Sequence, residues 1–137
     1  VTESIIKLVK NDKSLRVVWK ELPILGQTSV DAATAAMASR KQGKYLDFHI
    51  ALMNNRGGLN RQSILKIARR VGINTAKLEK DMTDPAIRTY LEETTKLAQQ
   101  LGIKGTPGFI IGEKIVPGAV SLKQLKKFIE TERNRKK

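Results

Sequence analysis

Thiol, metal and hydrolytic chemistry each need a particular set of side chains, and this 137-residue chain holds few of them. It has no cysteine and a single histidine. Without a thiol these residues can form no disulfide, thiolate metal site or cysteine nucleophile. His49 has no cysteine or second histidine with which to share a metal. It follows Phe48 in a helical pattern and is expected to be structural or solvent-facing. No Ser–His–Asp spacing, phosphate loop or dinucleotide glycine pattern supports hydrolase or nucleotide chemistry. No cofactor and no metal ion are expected. The stretch that remains is Gly105-Thr106-Pro107-Gly108, followed by two apolar runs, 109–111 and 114–116, around Gly112-Glu113. Glycine at the first central position suits a type II′ two-residue turn, so the runs read as a β-hairpin. Proline cannot donate to a ladder, so Pro107 must open a strand, and Pro117 lies just beyond the second one. Gly105 and Gly108 let the backbone come close to something. A cis Thr106–Pro107 bond would be a functional feature; a trans proline opening an ordinary strand is the alternative.

The elements that must position this stretch follow from periodicity. Residues 2–11 place Ile5, Ile6, Leu8 and Val9 on one helical face, with Lys7 and Lys10 outside. After a turn at 11–14, residues 15–22 are β-branched and aromatic and read as a strand ended by Pro23. Helices then fill 28 to 102. Thr28-Ser29-Val30-Asp31 offers a capping box ahead of an alanine-rich run, and residues 44–54 bring Tyr45, Phe48, Leu52 and Met53 together. Asn60 caps a helix with Ile64, Leu65, Ile67, Ala68 and Val71 inward and Gly72 as terminator. Asn74 starts a short helix carrying Leu78 and Met82. Asp84-Pro85 opens the helix that aligns Ile87, Leu91, Thr94, Ala98 and Leu101 and stops at Gly102. After the hairpin, Ser121 and Gln124 form a second capping box, Leu122, Leu125, Phe128 and Ile129 form a buried stripe, and the basic end frays.

The length suits one domain able to bury roughly two thirds of its unfolded surface. Twenty-six basic against 13 acidic residues give a net charge of +13, which attracts anionic partners such as nucleic acid, acidic lipid or acidic polymers. The charge is spread over many helices with little aromatic interleaving, so specific nucleic-acid recognition is not expected. No apolar run approaches the roughly 18 residues of a membrane span, and no signal peptide is visible. The chain opens on Val1 inside a helical pattern, as a mature or trimmed product would.

Three stretches in order resemble the bacterial DsbA-like thiol:disulfide oxidoreductases of the thioredoxin superfamily. They are Lys20-Glu21-Leu22-Pro23-Ile24-Leu25-Gly26, Gln42-Gly43-Lys44-Tyr45-Leu46-Asp47-Phe48-His49 and Gly105-Thr106-Pro107. The similarity covers nearly the whole chain. It implies an α/β, thioredoxin-like fold with an inserted helical domain, its first β-strand and the start of its active-site helix missing from these residues. The thioredoxin-like layer would be residues 1–26 and 103–137, and the inserted helical domain 27–102. The family carries a Cys-x-x-Cys at the start of the helix leading into segment 15–22, where the helix N-terminus lowers the thiol pKa. By that spacing the second cysteine lies a few residues ahead of Val1 and the first strand further upstream.

The strand so placed sits between segment 15–22 and the strand beginning at Pro107. Val17 and Phe109 are therefore not expected on directly paired strands, and their strands would stand about twice the ~4.8 Å pairing distance apart. An unpaired slot costs too much to tolerate. Upstream residues, a strand donated by a second copy in a strand-exchanged dimer, or rearranged edges would fill it. The function implied is dithiol–disulfide exchange in the periplasm or cell envelope, with cysteine-bearing protein or peptide substrates and a redox partner protein. Thr106 and Pro107 carry over as substrate-contacting residues. No catalytic residue lies in this chain, and the 137 residues alone are expected to be redox-inactive. The competing readings are a cysteine-free peptide-binding or scaffold protein on the same fold, and a basic binder of nucleic acid or anionic surfaces.

Overall fold

A computed structural model describes residues 2–136. The expectation of a trimmed start at Val1 falls outside the described residues, whereas the basic end from Glu132, expected to fray, is helical to Arg135 and is tied down by the ion pairs of Arg133 and Arg135. The chain divides into two compact units, one made of Lys20–Lys96 and the other of Val1–Trp19 with Leu97–Lys137.

The first unit is helical. It holds α2 (Gln27–Ala38), a 3-10 turn (Ser39–Gln42), α3 (Tyr45–Met53), α4 (Arg61–Arg70), α5 (Thr75–Asp81) and most of α6 (Pro85–Gln100). Alanines make α2 the centre: Ala33, Ala35, Ala36 and Ala38 are buried, and the helix touches α3, α4 and α5. Small side chains favour helix and let neighbouring helices approach. Around them Phe48, Leu52, Ile64, Ile67, Leu78, Ile87 and Leu91 complete one apolar cluster. The starts of α4, α5 and α6 are fixed by side-chain caps. Asn60 and Ser63 form a reciprocal capping box, Asn74 accepts from the Lys77 N–H, and Asp84 accepts from the Ala86 N–H ahead of α6. At the end of α4, Gly72 takes φ +85 while the Ile73 N–H reaches back to Ala68 and the Gly72 N–H to Arg69, a Schellman stop.

Two expectations fail in this unit. The capping box at Thr28 does not form, because α2 already starts at Gln27 behind Gly26. There Gln27 Nε2 donates to Asp31 Oδ1 at 2.9 Å. Met53 is 65% exposed. At 100° per residue it points about 140° away from Phe48, off the buried face.

The second unit holds α1 (Thr2–Asn11), β1 (Gly108–Ile111), β2 (Lys114–Pro117) and α7 (Leu122–Arg135). The hairpin is as the spacing predicts: antiparallel, with Phe109 opposite Val116 and Ile111 opposite Lys114. Gly112 has φ +61 and no non-glycine residue among the described ones has positive φ, which is the II′ pattern rather than I′. Ile5, Leu8 and Leu125 are the buried centre of this unit, and Leu15, Val17, Trp19, Phe109 and Ile111 pack on them. Val9 turns outward, about 100° round the helix from Leu8.

The strand expected over residues 15–22 does not form; β1 and β2 are the only paired strands among the described residues. Exposure still alternates, with Leu15, Val17 and Trp19 half-buried and Arg16, Val18 and Lys20 exposed. The side-chain pattern of a strand is therefore present, but no neighbour completes a ladder.

The turn after α1 is tied to α7. Arg133 Nη1 lies 2.8 Å from Asp12 Oδ2, and Arg133 Nη2 donates to Ser14 Oγ at 3.0 Å. Hydrogen bonding from Arg133, then from Ser14, lowers the Asp12 pKa from 3.8 to about 2. Because the folded value is depressed, this contact stabilises the fold above about pH 4 and is lost as pH falls through about 2. An NMR titration is expected to show Asp12 with a midpoint near 2, returning towards 3.8 in Arg133→Gln. Equal midpoints in the two proteins would show that Arg133 is not the cause.

Candidate functional site

The loop singled out in the sequence is built by what surrounds it. Gly102 ends α6 with φ +71, and the Ile103 N–H returns to the Ala98 carbonyl at 2.8 Å, so the chain leaves the helix in a fixed direction. Residues 104–106 are exposed and Pro107 is half-buried. The Thr106–Pro107 peptide bond is cis. The Pro107 carbonyl accepts from the Gly118 N–H at 2.9 Å, which pins the loop to the end of β2. Gly108 is needed for space: a Cβ there would sit 2.9 Å from Ile103 Cγ2. Gly105 faces open space and makes no such approach. β1 pairs with β2 alone among the described residues, so its other edge, continuous with this loop, presents unpaired backbone groups.

The far end of the hairpin is anchored from α7. Arg135 Nη2 lies 3.7 Å from Glu113 Oε1 and 3.0 Å from Glu132 Oε2, and hydrogen bonding from Arg135 keeps the pKa of the Glu132 carboxyl below its ordinary value. A Cβ on Gly112 would run into that carboxyl group, and its φ is one that L-residues avoid. Gly112→Ala is expected to destabilise this unit by about 1–2 kcal/mol, read as a shift in its thermal unfolding. An unchanged midpoint would mean that the turn tolerates a side chain.

A second polar constellation, with no local signal in the sequence, lies in the helical unit. The Tyr45 O–H donates to Glu21 Oε1 at 2.6 Å, and His49 Nδ1 lies 3.0 Å from the same oxygen. Tyr45 and His49 are one turn apart on α3 and their rings stack with centroids 5.7 Å apart. The Glu21 and His49 side chains are only 14% and 15% exposed. Burial first, then the Glu21 charge, pushes the Tyr45 ionisation well above its ordinary value. A carboxylate can only accept, so the pairing puts the imidazole proton on Nδ1. His49 is thereby tied to Glu21 and is not turned to solvent. Beside it, Lys20 Nζ lies 5.4 Å from the centre of the Tyr90 ring.

A proline loop opening a β-hairpin whose Phe109 and Ile111 pack on Ile5 and Leu8 of α1 and Leu125 of α7 is the arrangement of the closing half of a thioredoxin-type domain. The chain belongs to the DSBA-like thioredoxin domain family, whose profile matches residues 1–130. Among solved structures it is similar to a thioredoxin-like oxidoreductase from Silicibacter pomeroyi DSS-3, at 42% identity and TM-score 0.92 over 96% of this chain and 76% of that one. The thiol-disulfide exchange protein alpha-DsbA2 from Wolbachia pipientis matches at 31% identity and TM-score 0.88, over 95% of this chain and 72% of that one. Proteus mirabilis ScsC in a compact conformation matches at 28% identity and TM-score 0.85, over 98% and 75%. Comparison with curated proteins found no match. The fold is DsbA-like, mostly helical, with a small two-stranded sheet among the described residues. The family's chemistry is thiol–disulfide exchange, and the 137 residues contain no cysteine with which to perform it.

Proposed function

We propose that the chain is the larger part of a periplasmic or envelope protein that exchanges disulfides with cysteine-bearing proteins, its dithiol carried by residues outside these 137. Residues 1–26 and 103–137 form the thioredoxin-like layer, and 27–102 form an insertion that shapes the substrate groove. Thr106 and Pro107 contact an extended substrate segment, which pairs its backbone with the free edge running into β1. The observation that supports this reading is the exposed, pinned Thr106–Pro107 loop in a chain matching the DSBA-like family over residues 1–130. Exchange passes through a mixed disulfide between substrate and dithiol, and the potential of that dithiol sets the direction of electron flow.

Two measurements test the proposal. The 137-residue chain should show no turnover in insulin reduction. The labelled chain titrated with an unfolded cysteine-containing peptide should shift the amides of residues 104–110. Turnover would refute the assignment of the thiols elsewhere, and peptide shifts confined to other residues would refute the loop. The absence of cysteine also favours a second reading, a peptide-binding protein on this fold that performs no exchange. A Cys-x-x-Cys encoded just ahead of α1 supports the first; any other sequence there supports the second.

A further inference from the structure

We infer that the exposed face of α4 is a docking surface for an anionic phospholipid membrane. The helix carries Arg61, Lys66, Arg69 and Arg70 in ten residues and no acidic side chain. Arg56, in the loop before it, adds a fifth exposed cation. Arg61 reaches only Glu79, at 3.7 Å with both about half exposed. Among the described residues, Arg56, Lys66, Arg69 and Arg70 have no acidic partner within 4.0 Å. At 100° per residue, Lys66, Arg69 and Arg70 fall within an arc of about 100°. Ile64, Ile67 and Ala68 are committed to the core on the other side.

Stabilisation of the helix C-terminus accounts for Arg69 and Arg70, which stand in the last turn. It does not account for Arg56 or Lys66, which lie outside that turn; Arg61, about 140° round the helix from Lys66 and next to Glu79, is off this face. A row of cations on one convex helix offers an extended peptide no side-chain pockets. It carries no aromatic ring on which a base could stack. It does match a flat anionic surface, to which each nearby cation adds roughly fivefold in affinity. Because the apolar face of α4 is buried, the contact is electrostatic adsorption without insertion, and it must weaken steeply with salt. The net charge of +13 adds long-range attraction to the same surface.

The test is co-sedimentation of the chain with phosphatidylcholine vesicles in which about one third of the lipid is phosphatidylglycerol, at ~0.1 M salt. The chain should pellet with these vesicles and not with pure phosphatidylcholine, and ~0.5 M salt should release it. The triple variant Lys66→Gln, Arg69→Gln, Arg70→Gln should bind roughly a hundredfold more weakly. It removes exposed side chains only, and an unchanged thermal midpoint verifies the fold. The matched variant Lys123→Gln, Lys126→Gln, Lys127→Gln on α7 has the same net charge and should bind almost as well as the parent. Equal losses in the two variants would overturn the placement on α4. Failure of the parent chain to bind, or tighter binding of single-stranded DNA than of vesicles at the same salt, would overturn the lipid assignment.

Discussion

Phe48→Ala is expected to remove about 3–5 kcal/mol from the helical unit, the range for truncating a fully buried phenylalanine. Phe48 is 0% exposed and, with Ile64 and Leu78, is among the largest fully buried side chains of the chain. It sits on α3 in the cluster built on the alanines of α2. Those alanines bring the helices close, so they cannot move further inward to fill the cavity that the truncation would leave. The cost is then a lost transfer term plus an unrelaxed cavity. Domains of this size are stable by about 5–15 kcal/mol, so the variant should lose at least about a fifth of its margin. The measurement is urea unfolding followed by far-ultraviolet circular dichroism, which reads helix content. Met53→Ala, on the same helix and 65% exposed, is the control and should stay within about 0.5 kcal/mol. Comparable losses at the two positions would mean that α3 does not present the face described.

That contrast also shows which features can be read from sequence. The caps at Asn60, Asn74, Asp84 and Ser121 are all visible, because an N-cap bond closes within three residues. The hairpin is visible for the same reason, since Gly112 decides the turn and the turn decides the register. Residues 15–22 are misread as a strand because β-branched composition reports a half-buried extended surface, while a strand is defined by a partner elsewhere. Met53 is misplaced by counting apolar residues without following the helical angle. The candidate site divides in the same way. Thr106 and Pro107 announce themselves as a local motif, and their attachment through Gly118 joins residues that the hairpin brings together. Glu21 gives no warning, because Tyr45 and His49 lie 24 and 28 residues away. Only the side-chain chemistry of a finished fold joins them.

Glu21→Ala should cost about 2–3 kcal/mol, more than its modest size suggests. The substitution deletes a charged acceptor that serves two donors and leaves the Tyr45 hydroxyl and the His49 Nδ1–H in a space with little water. Glu21→Gln keeps a neutral acceptor and should lose less. Tyr45→Phe removes one donor but leaves His49 paired, so it too should be milder. The double variant Glu21→Ala, Tyr45→Phe should fall short of the sum of the single losses by about 0.5–3 kcal/mol, the coupling expected of groups sharing one oxygen.

Alkaline pH offers an independent reading. The Tyr45 ionisation is pushed above its ordinary value of 10.0 in the fold, by burial and then by the Glu21 charge. The neutral phenol's contribution is therefore complete below about pH 10 and is lost as pH rises beyond it, because the unfolded chain ionises first. Urea unfolding at pH 7 and above pH 10 should show a steeper fall for the parent chain than for Tyr45→Phe. Identical slopes together with additive single losses would mean that Glu21, Tyr45 and His49 are neighbours that do not act as a unit.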